Sequence, residues 1–113
     1  MNSSSTLALL RKQKPVIEIR ASSDGKPAQK FVGRCAATLD ALIQAGDGGL
    51  TSFEYPAPRV SDYMYRLRKG GLAVETITEG HAGPFSGSHG RYILRSEVNV
   101  IERVRAGEGR HAA

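Results

Sequence analysis

The chain reads as an α+β domain, and three observations lead there. Residues 15–21, "PVIEIRA", alternate Val16, Glu18 and Arg20 with Ile17 and Ile19, the period of a strand. Residues 34–46 and 58–70 place apolar side chains three and four apart, the period of a helix. Two further alternating stretches, 72–78 and 91–96, follow the second of these helices.

Taken in order, "MNSSST" is small and polar, so residues 1–14 are expected to form a disordered N-terminal segment. After the first strand, Asp24-Gly25 is a turn signal, and "KFVG" (30–33) can pair back to complete a hairpin. In "RCAATLDALIQAG", Cys35, Leu39, Leu42 and Ile43 share one face, and Gly46 stands where a C-terminal cap belongs. A second, very short helix is expected in "LTSFEYP", where Thr51-x-x-Glu54 has the capping-box spacing and Pro56 forbids a long continuation. Pro58 opens the third helix, which Gly70-Gly71 close. The strands at 72–78 and 91–96 flank a glycine-rich loop, "EGHAGPFSGSHG". Val98, Ile101 and Val104 are spaced as in a short helix, and the remainder of the 97–113 tail is expected to be disordered.

Hairpin, three compact helices and a closing β-hairpin is the winged helix-turn-helix order, within a domain spanning 15–96. In helix-turn-helix proteins the helix after the turn enters the major groove. Here that helix is 58–70. On a wheel at ~100° per residue, Val60, Met64 and Leu67 fall in one sector, and Asp62, Tyr65, Arg66 and Lys69 fall opposite, flanked by Arg59 and Ser61. Leu39, Leu42, Ile43, Val60, Met64 and Leu67 are the expected core where the first and third helices cross.

"PAPRVSDYMYRLRKGGLAVET" followed by "GPFSGSHGRYILRS" resembles a group of small bacterial winged-helix domain proteins, some associated with phage-like regions. "DGKPAQKFVGR" and "TLDALIQAG" are similar to that group too, and the likeness covers roughly residues 24–96. It implies a small DNA-binding protein, a transcriptional regulator or phage-type accessory protein, and the single cysteine suits the reducing cytoplasm expected for it. The short second helix, cut by Pro56 and Pro58, departs from the usual pattern.

Charge supports this reading only locally. The net charge is +5, of which +4 lies in residues 1–33 and +1 in residues 34–96, so an argument for nucleic acid rests on clustering. The expected contact set is Arg59, Ser61, Asp62, Tyr65, Arg66 and Lys69 on the helix, with His89 and Arg91 in the wing at 79–91. Asp62 stands four residues before Arg66, which favours an ion pair over acceptance from a cytosine amino group. Arg68 lies nearer the core and is placed to pair with Glu75 or Glu79.

Other chemistries find little support. The glycine-rich loop has no lysine and joins two strands, unlike a nucleotide-binding phosphate loop. His81 and His89 are only two ligands, so no metal and no cofactor is expected. The single cysteine, Cys35, fits the buried helix face and excludes an internal disulfide. No Ser-His-Asp or paired-carboxylate pattern points to an enzyme, and no apolar run is long enough for a membrane span. The rival reading is a winged helix used for protein–protein contact without DNA. A small domain reads few base pairs, which makes a homodimer the common remedy, with residues 98–105 or the edge of the N-terminal hairpin as candidate contacts.

Overall fold

Strand β1 (Val16–Ser23) buries Val16, Ile19, Ala21 and Ser23, and its alternation is interrupted where bulges fall opposite its partner. The structure, a computed structural model, describes residues 14–51, 60–82 and 87–107, apart from the side chain of His81. Asp24 and Gly25 both have positive φ, and the Lys26 amide donates to the Ser23 carbonyl at 2.8 Å, which closes the expected turn. β2 (Gln29–Val32) then pairs antiparallel with β1, Ile19 opposite Phe31.

Helix α1 (Gly33–Ala45) follows at once. Six of its residues, Ala36 and Thr38 to Leu42, are buried, because β1 and β2, the second helix and the second sheet all pack around it. A helix enclosed in this way has a wide apolar surface with small residues where neighbours approach. Gly46, at φ 58°, caps it, its amide donating to the Leu42 carbonyl. A 3-10 turn (Gly46–Gly48) leads to β3 (Leu50–Thr51). Gly49 makes this junction feasible. It has φ 69°, and a Cβ there would lie 2.6 Å from the Tyr92 carbonyl oxygen.

Helix α2 (Val60–Lys69) packs on α1, with Met64 and Leu67 fully buried beside Leu39 and Leu42. Ile43 and Val60 are partly buried against that core, so the six expected core residues do meet. Each fully buried Leu contributes ~1.5–3 kcal/mol relative to exposure. β4 (Val74–His81) and β5 (Gly87–Leu94) form a long hairpin, and the sheet order is β3-β5-β4. The other sheet has the order β2-β1-β6, with β6 at Val98–Arg105.

Three expectations need correction. First, residues 98–105 form a strand, not a short helix, and this extends the folded unit past residue 96. Val98, Val100 and Arg103 pair with Ser23, Ala21 and Ile19. The register shift between Arg20 and Ala21 displaces Ile101 outward, where it is exposed. Val98, Ile101 and Val104, three apart in the sequence, therefore do not share a face: Ile101 stands outside the paired register. Second, two α-helices, not three, stand among the described residues. Leu50 and Thr51, where the short second helix was to begin, pair with Tyr92 and Arg91. Residues 52–57 lie outside the described residues, as do Pro58 and Arg59 at the start of the third helix. Third, the wing strands run far into the expected loop, down to His81 opposite Gly87. Regular partners from the β-branched β4 carry Gly87 and Gly90 in the ladder despite their weak strand preference. Residues 83–86, within the expected loop, lie outside the described residues.

Candidate nucleic-acid interface

α2 turns one face inward and leaves the other open. Ser61, Tyr65, Arg66 and Lys69 are exposed, and Tyr65 retains 57% of its surface. The last turn carries Arg66, Arg68 and Lys69, where cations also suit the negative end of the helix dipole. Arg66 Nε donates to Asp62 Oδ2 at 3.0 Å across one turn, the ion pair that the spacing favours. The pair is exposed at its Arg end, so it orients the guanidinium more than it stabilises the fold. Lys69 Nζ lies 5.7 Å from the centre of the Tyr65 ring, within cation–π range. Arg59, the remaining expected contact on this helix, lies outside the described residues.

Arg68 behaves differently from its neighbours. Its Nε and Nη2 donate to the Val74 carbonyl at 2.9 and 2.7 Å, and Nη2 also donates to Thr76 Oγ1 at 2.7 Å. It therefore fastens α2 to β4 through a carbonyl and a hydroxyl, not through Glu75 or Glu79 as expected. Those carboxylates have other partners: Arg95 Nε donates to Glu75 at 2.7 Å, and Arg91 Nε donates to Glu79 at 2.7 Å.

The wing residues are turned inward. His89 Nε2 lies 3.1 Å from Glu79 Oε1, and Arg91 also donates from Nη1 to the Gly48 carbonyl at 2.8 Å. Their side chains are only 14% and 24% exposed. The hydrogen bond from Arg91 is the main reason that the Glu79 carboxyl is held below the ordinary glutamate range. Instead of offering donors outward, His89 pairs with Glu79 across the hairpin, and Arg91 ties the hairpin to the connector behind α1.

Two residues that the sequence reading did not single out belong to this region. Gln29 Nε2 donates to the Gly70 carbonyl, and Lys26 Nζ donates to the Gly71 carbonyl at 3.2 Å. The turn of the first hairpin thus sits against the end of α2 and brings the Lys26 ammonium beside it. Lys26 and Gln29 stand in "DGKPAQK", and their only signal there was a polar loop. Pairing over more than forty residues has no local signature. Cys35, partly buried in α1 beside the Asp62–Arg66 pair, has a thiol pushed up by burial, with Arg66 acting in the opposite sense.

These elements form one arrangement: a buried helix, a second helix with one open polar face, and a three-stranded antiparallel sheet ending in a long hairpin. None of the helices among the described residues is long and apolar enough to cross a membrane. No curated protein and no solved structure matches the chain. A family model described as a winged helix domain matches residues 28–104, from the start of β2 into β6. With most of its length covered by that match, the chain belongs to the winged helix domain family.

Proposed function

We propose that the protein binds duplex DNA through the exposed face of α2 and acts in the cytoplasm as a small transcriptional regulator or phage-type accessory protein. One observation carries the reading. Ser61, Tyr65, Arg66 and Lys69 stand exposed on α2, while Met64 and Leu67 anchor its other side in the core. Asp62 is already engaged by Arg66, so its role is to aim the guanidinium rather than to read a base. Arg59, which directly precedes α2 in the sequence, completes the proposed set. Lys26 adds a cation at the far end of α2, and a homodimer supplies the second half-site.

The test is a binding series on preferred and scrambled duplexes at several salt concentrations. Phosphate contacts release counterions, giving a log–log slope of about −0.9 per phosphate neutralised. Lys69→Ala is expected to reduce the slope by about one and to weaken all sequences alike. Arg66→Ala is expected to cost ~1–3 kcal/mol mainly on the preferred site, because base edges differ among sequences and phosphates do not. A folded parent protein that binds no duplex at low salt refutes this reading and favours a protein-contact role for the same face.

A further inference from the structure

We propose that Lys26 and Arg34 hold the phosphate backbone of duplex DNA along the flank of α2 that lies opposite the wing. The inference rests on the DNA reading above and adds to it the side of the helix on which the backbone runs. α2 has two flanks, and the fold attaches a different element to each. On one, Arg68 is bound to Val74 and Thr76 of β4. At ~100° per residue, Asp62, Arg66 and Gly70 succeed one another along the opposite flank. The first hairpin and the start of α1 run beside that second flank. Gln29 donates to the Gly70 carbonyl and Lys26 to the Gly71 carbonyl, and a Cβ on Gly70 would lie 3.2 Å from the Phe31 ring. Further along, Cys35 lies beside the Asp62–Arg66 pair, and Arg34 and Tyr63 line one groove.

The two flanks differ in charge. On the wing side, Glu75 pairs with Arg95, and Glu79 pairs with both Arg91 and His89. On the other side, residues 25–39 contain Lys26, Lys30 and Arg34 and no acid. Lys26 and Arg34 are exposed. The Gly71 carbonyl occupies one of the three donors of the Lys26 ammonium, so the others can turn to a phosphate. Asp24, the nearest carboxylate in the sequence, accepts from the Glu97 amide at 3.0 Å and from Ser96. The hairpin meets α2 at Gly70, and Arg34 shares its groove with Tyr63, two points ~10 Å apart at the helical rise. The two cations therefore meet separate phosphates. Lys30 is placed differently. Gln29 and Phe31 turn toward α2, so strand alternation sends Lys30 to the other face of the sheet, opposite Arg20.

The test titrates the full chain with a mixed-sequence duplex across a salt series. Lys26→Gln and Arg34→Gln are each expected to make the log–log slope shallower by about 0.9, the loss of one phosphate contact, and the double variant by about twice that. Lys30→Gln removes the same charge from the other face and is expected to leave the slope as in the parent. Lys26→Arg keeps the charge and is expected to keep the slope. Lys69→Ala reports on the α2 face itself. Where loss of the Lys26–Gly71 bond loosens the hairpin, seen as a lowered Tm, Arg34→Gln decides alone. The inference is overturned, with the DNA reading left standing, if Lys69→Ala flattens the slope while either Lys26→Gln or Arg34→Gln leaves it unchanged in a folded chain, or if Lys30→Gln flattens it as much as they do. A folded parent protein that binds no duplex at low salt overturns both.

Discussion

Replacing Arg103 with Met isolates a charge inside the fold. Asp40, on α1, is buried, with 3% of its side chain exposed. Its carboxylate lies 2.8 Å from Arg103 Nε on β6. The two atoms meet without hydrogen-bond alignment, so the contact is chiefly Coulombic. Removing one partner of a fully buried pair costs about 3–5 kcal/mol, because the other charge is left uncompensated. The Arg103 side chain is 28% exposed, so water reaches part of this pair. That screening lowers the expectation for Arg103→Met to roughly 2–3 kcal/mol. A domain of this size has a total stability of ~5–10 kcal/mol, so the shift is large enough to read in urea unfolding with m held constant. The double variant Asp40→Leu, Arg103→Met removes both charges and is expected to recover most of the loss, as buried pairs replaced by apolar residues often do. Arg103→Met within 0.5 kcal/mol of the parent (about the error of such a comparison), or a double variant less stable than the single one, refutes the reasoning.

Three other outcomes follow from packing, backbone and charge. Leu67→Ala is expected to cost ~2–5 kcal/mol through the cavity left among Leu39, Leu42 and Met64, and thermal unfolding checks it. Gly49→Ala meets both a positive φ and the Tyr92 carbonyl oxygen, so it is expected to destabilise by more than ~1 kcal/mol, whereas Gly80→Ala, with no atom closer than 3.9 Å, serves as the mild comparison in the same chemical denaturation. Glu79 has a folded-state pKa below its unfolded value, so its contribution is present above the ordinary glutamate range and is lost as pH falls through the lower folded value. Glu79→Gln is therefore expected to flatten the acid limb of the stability–pH curve while lowering stability near neutrality, measured by urea midpoints from pH 3 to 7.

Much of the fold was legible because its signals are local. The Asp24-Gly25 turn, the apolar stripe of α1 and the Gly46 cap each act within a few residues, and the structure forms all three, while β1 forms as a strand whose alternation the bulges break. The inward and outward faces of α2 follow from a period that Val60, Met64 and Leu67 keep without interruption. What escaped depends on distant partners. β6 was misread because Val98, Ile101 and Val104 stand three apart by themselves, while β1, the partner that draws the segment into a strand, lies far away in the sequence. β3 is two residues long and exists only because β5 lies beside it. The candidate interface was legible as a helix face, yet the inward turn of His89 and Arg91 depends on Glu79 across the hairpin, and the placing of Lys26 and Gln29 depends on a helix end some forty residues away.

The middle position of β1 has a consequence for the order in which the chain assembles. β1 and β2 are nearly contiguous and can pair as soon as both exist, at a small loop-closure cost. The other edge of β1 is filled by β6, and the Ala106 amide donates to the Pro15 carbonyl at 2.8 Å, so contacts at opposite ends of the sequence close that sheet. Such long-range pairing slows folding, since chain entropy is lost before the contacts form. During synthesis the inner half of the first hairpin stays open until residues 98–105 emerge, and the Asp40 carboxylate waits for its cation over the same interval. A chain without β6 leaves that flank of β1 unpaired and open to any other strand that can add to it.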